Sequence, residues 1–592
     1  MNSNKSLAPY LFHQGINYRA YEYLGVHKER EGYVFRVWAP RAEKVFLVGD
    51  FNCWEESIGM VKLTDGGIWE VFIDNGKACL GDKYKYKIYG GGEIQYKADP
   101  FCTVGAALPE TASLLGFDDA YKWRDSGWML FRKRYAQGCS KLPLNIYELH
   151  AGSWKRHEDG SYFDFEELAR ELAPYVKQMG YTHVQLTSAF GAAYYGLGDC
   201  PCFFGAAEHG GNSKLKRFVD CMHEAGVGVI FELELSRFAN TPYGLARFDG
   251  VALYERADTA CDGDGLLELD LGRNEVKSFL FSVADHRLRR LHADGLSITC
   301  DFSGGSSHSQ AEFLRRLSLY IKREFCDAIL IANPRSEADA SMRSFDIIAD
   351  KGWTNETLAY ASVEPCYRKY NHSKLNFSMT YAFEQTHLLA ISHKDVSAGR
   401  LSFIDKMAGD YWQKFANARA YLGYMMTHPG KKLSFMGNEI GQFREWERDN
   451  ETECFLLEYE THAKFQRYVA ELNHIYLGEP ALWSEDDSWH GFEWIEPDDA
   501  AQSILSYKRI ANDSSEVLVL INFTPTVYRR FLLGTDREGI YREVFNSDDS
   551  RFGGSGVLNS GLIKTTGIPI SRCKNSIEIN VPPLAAVIFK AE

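Results

Sequence analysis

The run Asn145-Ile146-Tyr147-Glu148-Leu149-His150, the segment 165–179 and the run His183-Val184-Gln185-Leu186 together decide the fold. The two outer runs are short, apolar-rich and of strand length. Between them Leu168, Leu172, Tyr175, Val176 and Met179 recur at helical spacing. Strand, helix, strand in this order is a unit whose strands pair in parallel, because the helix supplies the crossover. The same grammar continues down the chain. A helix over 215–225 precedes the apolar strand Val227-Gly228-Val229-Ile230-Phe231, and a long helix over 275–291 precedes Leu296-Ser297-Ile298-Thr299. Ala328-Ile329-Leu330-Ile331 and Leu388-Leu389-Ala390-Ile391-Ser392 read as further strands. Repeated units over 126–483 predict a (β/α)8 TIM barrel. A doubly wound sheet has the same periodicity and stays open as the alternative.

On both sides of this region the period changes to two. After a short lead-in over 1–20 come Tyr33-Val34-Phe35-Arg36-Val37-Trp38, Lys44-Val45-Phe46-Leu47-Val48, Trp69-Glu70-Val71-Phe72-Ile73 and Lys83-Tyr84-Lys85-Tyr86-Lys87-Ile88, separated by turns rich in Gly, Asp and Asn. These predict an immunoglobulin-like β-sandwich within 1–125. Ser503-Ile504-Leu505-Ser506-Tyr507, Glu516-Val517-Leu518-Val519-Leu520-Ile521 and Ala585-Ala586-Val587-Ile588-Phe589 predict a second antiparallel β-sandwich within 484–592.

Composition narrows the partners. The 592 residues carry a formal charge of −14, spread along the chain. Nucleic acid and anionic membrane both call for a basic face, so neither is expected. No run of about 18 apolar residues suggests a membrane span. The start, Met1 to Pro9, is polar and lacks the apolar core of a signal peptide, which predicts a cytoplasmic protein with reduced thiols. The 13 cysteines are scattered. Cys200 and Cys202 form a CxC without a second pair at zinc spacing, so neither a metal nor a cofactor is expected. Aromatic residues reach 14%. Flat rings suit the apolar faces of sugars, and they suit β-sandwich cores equally well.

Several stretches resemble bacterial 1,4-α-glucan branching enzymes of glycoside hydrolase family 13. Val37-Trp38-Ala39-Pro40, Val48-Gly49-Asp50-Phe51-Asn52-Cys53-Trp54 and Tyr96-Lys97-Ala98-Asp99-Pro100 are similar to the family's N-terminal carbohydrate-binding module. Tyr147-Glu148-Leu149-His150-Ala151-Gly152-Ser153-Trp154 resembles its first barrel strand. Phe248-Asp249-Gly250, Leu253-Tyr254-Glu255 and Gly272-Arg273-Asn274-Glu275-Val276 resemble its middle. The fullest likeness runs from Trp412-Gln413-Lys414-Phe415-Ala416-Asn417 through Pro429-Gly430-Lys431-Lys432-Leu433 to Phe435-Met436-Gly437-Asn438-Glu439. Asn522-Phe523-Thr524-Pro525 and Pro582-Pro583-Leu584-Ala585 extend it, so that it spans nearly the whole chain in order. The resemblance implies a carbohydrate-binding β-sandwich, a barrel and a C-terminal β-sandwich.

It also implies a chemistry that the residues do not support. Cutting an α-1,4 bond and rejoining the chain with retention needs a carboxylate nucleophile and a second carboxyl group as acid and base, at the C-terminal ends of barrel strands. The family adds a third carboxylate. Here Thr299 stands at the nucleophile position, Asn333 at the acid/base position and Lys394, after the retained His393, at the third. A threonine needs an activating base to act as a nucleophile. An amide cannot protonate a leaving group. A cation at the third position would repel an oxocarbenium-like charge.

Supporting positions differ as well. Ser297 replaces the arginine two residues before the nucleophile. Glu232 and Arg237 replace an Asp and a His after the third strand, Asp199 falls near an expected Tyr, and the loop Ser303-Gly304-Gly305-Ser306-Ser307 is short.

These substitutions predict a non-catalytic homologue that binds α-glucan or glycogen, or regulates glycogen metabolism. For the binding module the resemblance implies a sugar platform of Trp54, Lys85 and Tyr96, with Trp54 as a packed turn residue the ordinary alternative. His393 is the glucan-contacting candidate in the barrel. Two other readings remain. One is an active branching enzyme with a displaced site, drawing on Glu234, Asp301 or Asp395. A two-residue step along a strand moves a group by about 7 Å, however, and a solvated acidic rim explains all three as well. The other is a protein–protein role beside another enzyme of glycogen metabolism.

Overall fold

The computed structural model describes residues 3–106, 110–117, 121–135, 141–187, 203–205, 211–257, 265–300, 307–334 and 340–592. Asp199, Cys200, Cys202, Asp301 and residues 303–306 lie outside the described residues. The chain divides into two compact units, one of residues 1–136, 150–173 and 185–345, the other of 137–149, 174–184 and 346–592.

The lead-in is a helix, α1 (Ser3–His13). Its Phe12 is fully buried, edge-on to Trp38 at 5.7 Å, and His13 meets Glu275 at 2.9 Å. The N-terminal sandwich follows. One sheet orders β1 (Gly25–Lys28), β2 (Gly32–Trp38), β5 (Ile68–Asp74) and β4 (Val61–Lys62). The other orders β3 (Lys44–Gly49), β6 (Lys83–Gly90) and β7 (Glu93–Lys97), with β8 (Ser113–Leu114) also on β6. Alternation decides which side chains meet in the core. On β6 Tyr84 and Tyr86 point inward and both donate to the buried Asp99, at 2.9 and 3.1 Å. Burial pushes the Asp99 carboxyl up to about 6, against those hydrogen bonds. The β6–β7 turn then lies on backbone 249–250. A Cβ on Gly90 would sit 2.2 Å from the Asp249 carbonyl oxygen, and one on Gly250 2.0 Å from that of Gly90, so only glycine fits at either place.

The central strands are β9 (Asn145–Leu149), β10 (His183–Leu186), β11 (Gly228–Glu234), β14 (Gly295–Cys300), β15 (Ile329–Pro334), β16 (Ile347–Ala349), β17 (His387–Ile391) and β18 (Lys431–Phe435). They close in the order β10-β11-β14-β15-β16-β17-β18-β9, which selects the parallel barrel over a doubly wound sheet. A small hairpin of β12 (Arg237–Ala239) and β13 (Leu266–Glu268) follows β11. In chain order the helices are α2 (Ser126–Tyr135), the single turn α3 (Ala151–Trp154), α4 (Phe165–Gln178), α5 (Gly211–Glu224), α6 (Asn274–Arg290), α7 (Ser307–Glu324), α8 (Lys351–Ala361), the single turn α9 (Ser373–Asn376), α10 (Tyr411–Thr427) and α11 (Glu460–Gly478). The sequence-derived strands at 145, 183, 227, 296, 328 and 388 are all present, while β16 and β18 come from the structure alone.

The C-terminal region places β19 (Phe492–Asp499), β20 (Ile504–Ile510), β21 (Glu516–Asn522), β26 (Ala585–Ala591), β23 (Ile540–Asn546) and β24 (Ile563–Lys564) in one sheet, and β22 (Tyr528–Thr535) with β25 (Asn575–Val581) in another. Leu518, Leu520, Ile577, Val587 and Phe589 are among its buried core residues.

Candidate functional site

In the first unit the register of β11, β14 and β15 fixes which residues share a level. Glu232 pairs with Ser297 and Ser297 with Ile331; at the next level Glu234 pairs with Thr299 and Thr299 with Asn333. These residues lie on one face of the strands. Leu296, Ile298, Leu330 and Ala332, all fully buried, share the opposite face. The positions matched to nucleophile and acid/base are therefore direct lateral neighbours, as a pair of cooperating groups requires. Thr299 is only 3% exposed, and its hydroxyl lies 3.4 Å from Glu232 Oε1. That contact is long for a hydrogen bond, and a carboxylate is a weak base toward an aliphatic hydroxyl. Asn333 is half-buried. Glu234 turns back on its own chain and accepts hydrogen bonds from the backbone N–H and hydroxyl of Ser236. Arg237 lies on β12, paired in register with Glu268.

In the second unit β17 runs into a single 3-10 turn, His393–Asp395. His393 is buried, and Glu148 at the end of β9 fixes it. One oxygen of Glu148 accepts from the His393 backbone N–H at 2.9 Å and the other meets the ring Nδ1 at 2.8 Å. Phe435 and Trp446 flank the ring at 5.9 and 5.8 Å. Lys394 is half-buried on this turn. Asp395 caps the turn by accepting from the Ser392 backbone N–H and hydroxyl, both at 2.8 Å. Among the acidic residues considered for a displaced site, the two described ones, Glu234 and Asp395, thus serve local turns.

The module has an outward face built by β3, β6 and β7. The alternation that buries Tyr84 and Tyr86 turns Lys83, Lys85, Lys87 and Tyr89 outward. Trp54 follows the left-handed Cys53 in the turn after β3, is itself left-handed (φ 64°) and is 38% exposed. Its indole N–H donates to Asp50 at 3.0 Å, and the Asp50 carboxylate also accepts from the Lys83 backbone N–H at 2.9 Å, which ties the turn to β6. Tyr96 is 44% exposed and stands opposite Lys87 in register.

Lys85 is half-buried. It donates to Thr111 at 2.6 Å and approaches the Tyr243 ring at 6.0 Å. Burial lowers its pKa. Sequence reasoning passed over Lys87, Glu56 and Tyr89. Lys87 pairs with Glu56 at 2.5 Å and lies 5.0 Å from the centre of the Tyr96 ring, and the Tyr89 hydroxyl donates to Glu56 at 2.6 Å. The Lys-Tyr-Lys-Tyr-Lys alternation was signal enough for Lys87. Glu56, on a separate turn, had none.

Two family models match the chain. Carbohydrate-binding module 48 (isoamylase N-terminal domain) covers residues 23–102, and the alpha amylase C-terminal all-beta domain covers 494–592. Among curated relatives, the 1,4-alpha-glucan branching enzyme GlgB of Nitrosomonas europaea is 40% identical over 98% of this chain and 84% of its own length. The 1,4-alpha-glucan branching enzyme GlgB of Halothermothrix orenii is 39% identical over 98% of both chains. Among solved structures, the pullulanase of Paenibacillus barengoltzii in complex with maltohexaose and alpha-cyclodextrin superposes with a TM-score of 0.72 at 15% identity, covering 98% of this chain and 97% of that one. The putative alpha amylase of Salmonella typhimurium gives 0.69 at 14% identity, covering 96% and 99%. The solved structures share the fold, and the curated relatives fix the descent: the chain belongs to the 1,4-alpha-glucan branching enzyme family of glycoside hydrolase family 13.

Proposed function

We propose that this chain is a non-catalytic member of its family that binds α-glucan, as a glycogen-associated or regulatory protein. The observation that carries the reading is the lateral pairing of Thr299 with Asn333. A slip of one residue in the match between this chain and its relatives would move every side chain to the other face of the strand. It would put Ile298 or Cys300 at the nucleophile position, neither of them a carboxylate. A slip of two would reach Ser297, or Asp301 beyond the end of β14. Retaining glycosyl transfer needs both carboxyl groups. Losing one member of such a unit costs about as much as losing several. Lys394 at the third position supports the same reading.

Glucan binding rests on the module. Trp54 and Tyr96 offer exposed rings of the kind that stack on pyranose faces. The family's substrate supplies the ligand class, an α-1,4-linked glucan.

The test is a branching assay on amylose with the purified protein, run beside glycogen co-sedimentation. The expected result is no turnover, with retention on glycogen that falls when Trp54 is replaced by Ala. Turnover that Asp301→Ala abolishes would overturn the reading in favour of a displaced active site. Absence of both turnover and retention would leave a role in binding another protein.

A further inference from the structure

We infer that the polar contacts to glucan on the module come from the Glu56–Lys87 pair, and that Lys85, which the family resemblance puts forward, is a structural residue. This rests on the glucan-binding reading above and names the groups that would make it.

Partners separate the two lysines, both of which are half-buried on the outward face. The Lys85 ammonium lies over the junction where β7 gives way to β8 along β6. It is half-buried there and donates to the Thr111 hydroxyl at 2.6 Å, so it closes the segment 110–114 onto the sheet. That bond commits one of its three donors to the Thr111 hydroxyl. Lys87 is one step further along the same outward face. It stands between two aromatic residues, with Tyr96 opposite it on β7 and Tyr89 next along its own strand, 5.0 and 5.9 Å from the ring centres.

Glu56 fixes the Lys87 ammonium from the far side of β3. Its Oε1 accepts from both Lys87 and the Tyr89 hydroxyl. Among the described residues no hydrogen-bond partner is found for Glu56 Oε2. The hydrogen bond from Lys87 holds the Glu56 carboxyl below its ordinary range, and the same bond holds the Lys87 ammonium above its own, so both groups are charged across the neutral range.

Hydrogen bonds to charged groups are stronger than neutral ones, and a charged acceptor beside a charged donor can hold two neighbouring sugar hydroxyls at once. Glu56 Oε2 and the ammonium of Lys87 beside Tyr96 form such a pair. Trp54, two residues before Glu56 in the sequence, is tied through Asp50 to the Lys83 end of β6, the strand that carries Lys87.

The experiment titrates the full chain with maltoheptaose by calorimetry. Lys87→Met and Glu56→Gln are each expected to weaken binding roughly tenfold, the scale of one lost hydrogen bond to a charged group. Lys87→Arg should restore most of it. Lys85→Met should leave affinity within about twofold, since its bond is internal, while lowering the thermal midpoint as the 110–114 segment loosens. Loss of binding on Lys85→Met with Lys87→Met unchanged would overturn the inference and leave the glucan-binding reading standing. No binding by the unsubstituted protein, or binding indifferent to Trp54→Ala and Tyr96→Ala, would overturn both.

Discussion

At its N-terminal end β14 begins beside Asp294, one of the most heavily used side chains in the first unit. Its carboxylate accepts from the indole of Trp128 at 2.8 Å, from Arg132 at 3.1 Å, from His223 Nε2 at 2.8 Å and from the Val229 backbone N–H at 2.6 Å. His223 reaches on to Asp125 at 3.0 Å, and His292 binds the same Asp125 at 2.7 Å. At its C-terminal end the same strand presents Thr299, with one long contact to Glu232. Barrels divide labour in this way, with stability at the N-terminal face and chemistry at the C-terminal face. The contrast separates side chains that hold the barrel together from those at its C-terminal face. A catalytic carboxylate held in a pocket is a desolvated charge, so replacing it with a small neutral side chain leaves the fold no worse off. Asp294 has no such freedom, because four donors would lose their acceptor together.

The largest test of this contrast is Asp294→Ala. It should lower the free energy of unfolding by about 3–5 kcal/mol, because the buried Arg132 and protonated His223 lose a shared carboxylate, keeping only Asp327 and Asp125 respectively. Urea denaturation reads this directly, and a loss under about 1 kcal/mol would erase the distinction between the two ends.

The next test is pH. Burial alone would lower the His223 pKa, but the Asp294 and Asp125 carboxylates outweigh it and raise it to about 9. Asp125 is shifted the other way: burial opposes its charge, yet hydrogen bonds from His223 and His292 hold it below the ordinary carboxylate range. A histidine raised above its unfolded value near 6.5 stabilises fully below that pH, and its contribution fades as pH climbs toward 9. Stability should therefore fall between roughly pH 6.5 and 9, by up to about 3 kcal/mol. The His223→Gln variant should flatten this window, whereas a wild-type profile level across it would remove the charged histidine from the account.

At the other end of the strand, Thr299→Asp should destabilise by about 1–3 kcal/mol, because it adds a carboxylate within reach of Glu232 with little solvent to screen the two. Combining it with Asn333→Glu and Lys394→Asp should not bring back branching of amylose, since Ser297 and Arg237 remain. Recovery of turnover in that triple variant would mean that only the three acids had been lost. The smallest effect is expected from Thr299→Val, below about 1 kcal/mol, because a 3.4 Å contact is a weak hydrogen bond.

Legibility in the sequence followed the strength of the periodic signal. Strand β14 was plain from Leu296 and Ile298, and β11 from its unbroken apolar run. Strand β16 has three residues, too few to show a period. Strand β18 begins with two lysines, which break its apolar pattern. The structure buries both, satisfying Lys431 through Asp486 at 3.2 Å and Lys432 through the His428 carbonyl at 2.6 Å. Helix α1 was hidden by its polar start and by Pro9. For the site, the family resemblance put forward Thr299 and Asn333, and the structure places both on strands, β14 and β15. The residues around them could not be ranked from a linear pattern, because whether Glu234 and Asp395 engage Ser236 and Ser392 depends on the turns that bring them there.

The sequence by itself determined the order of the three architectures and the descent, and through the resemblance it set Thr299, Asn333 and Lys394 at the positions where carboxylates are expected, since residue identity and period are properties of the linear chain. Only the tertiary structure decided that Thr299 and Asn333 stand side by side, that Glu148 fixes His393, and that on the outward face of the module Lys87 pairs with Glu56 while Lys85 bonds Thr111. Each of these depends on residues from different strands or turns, and their mutual distance is set by register and closure, which no single stretch of chain encodes.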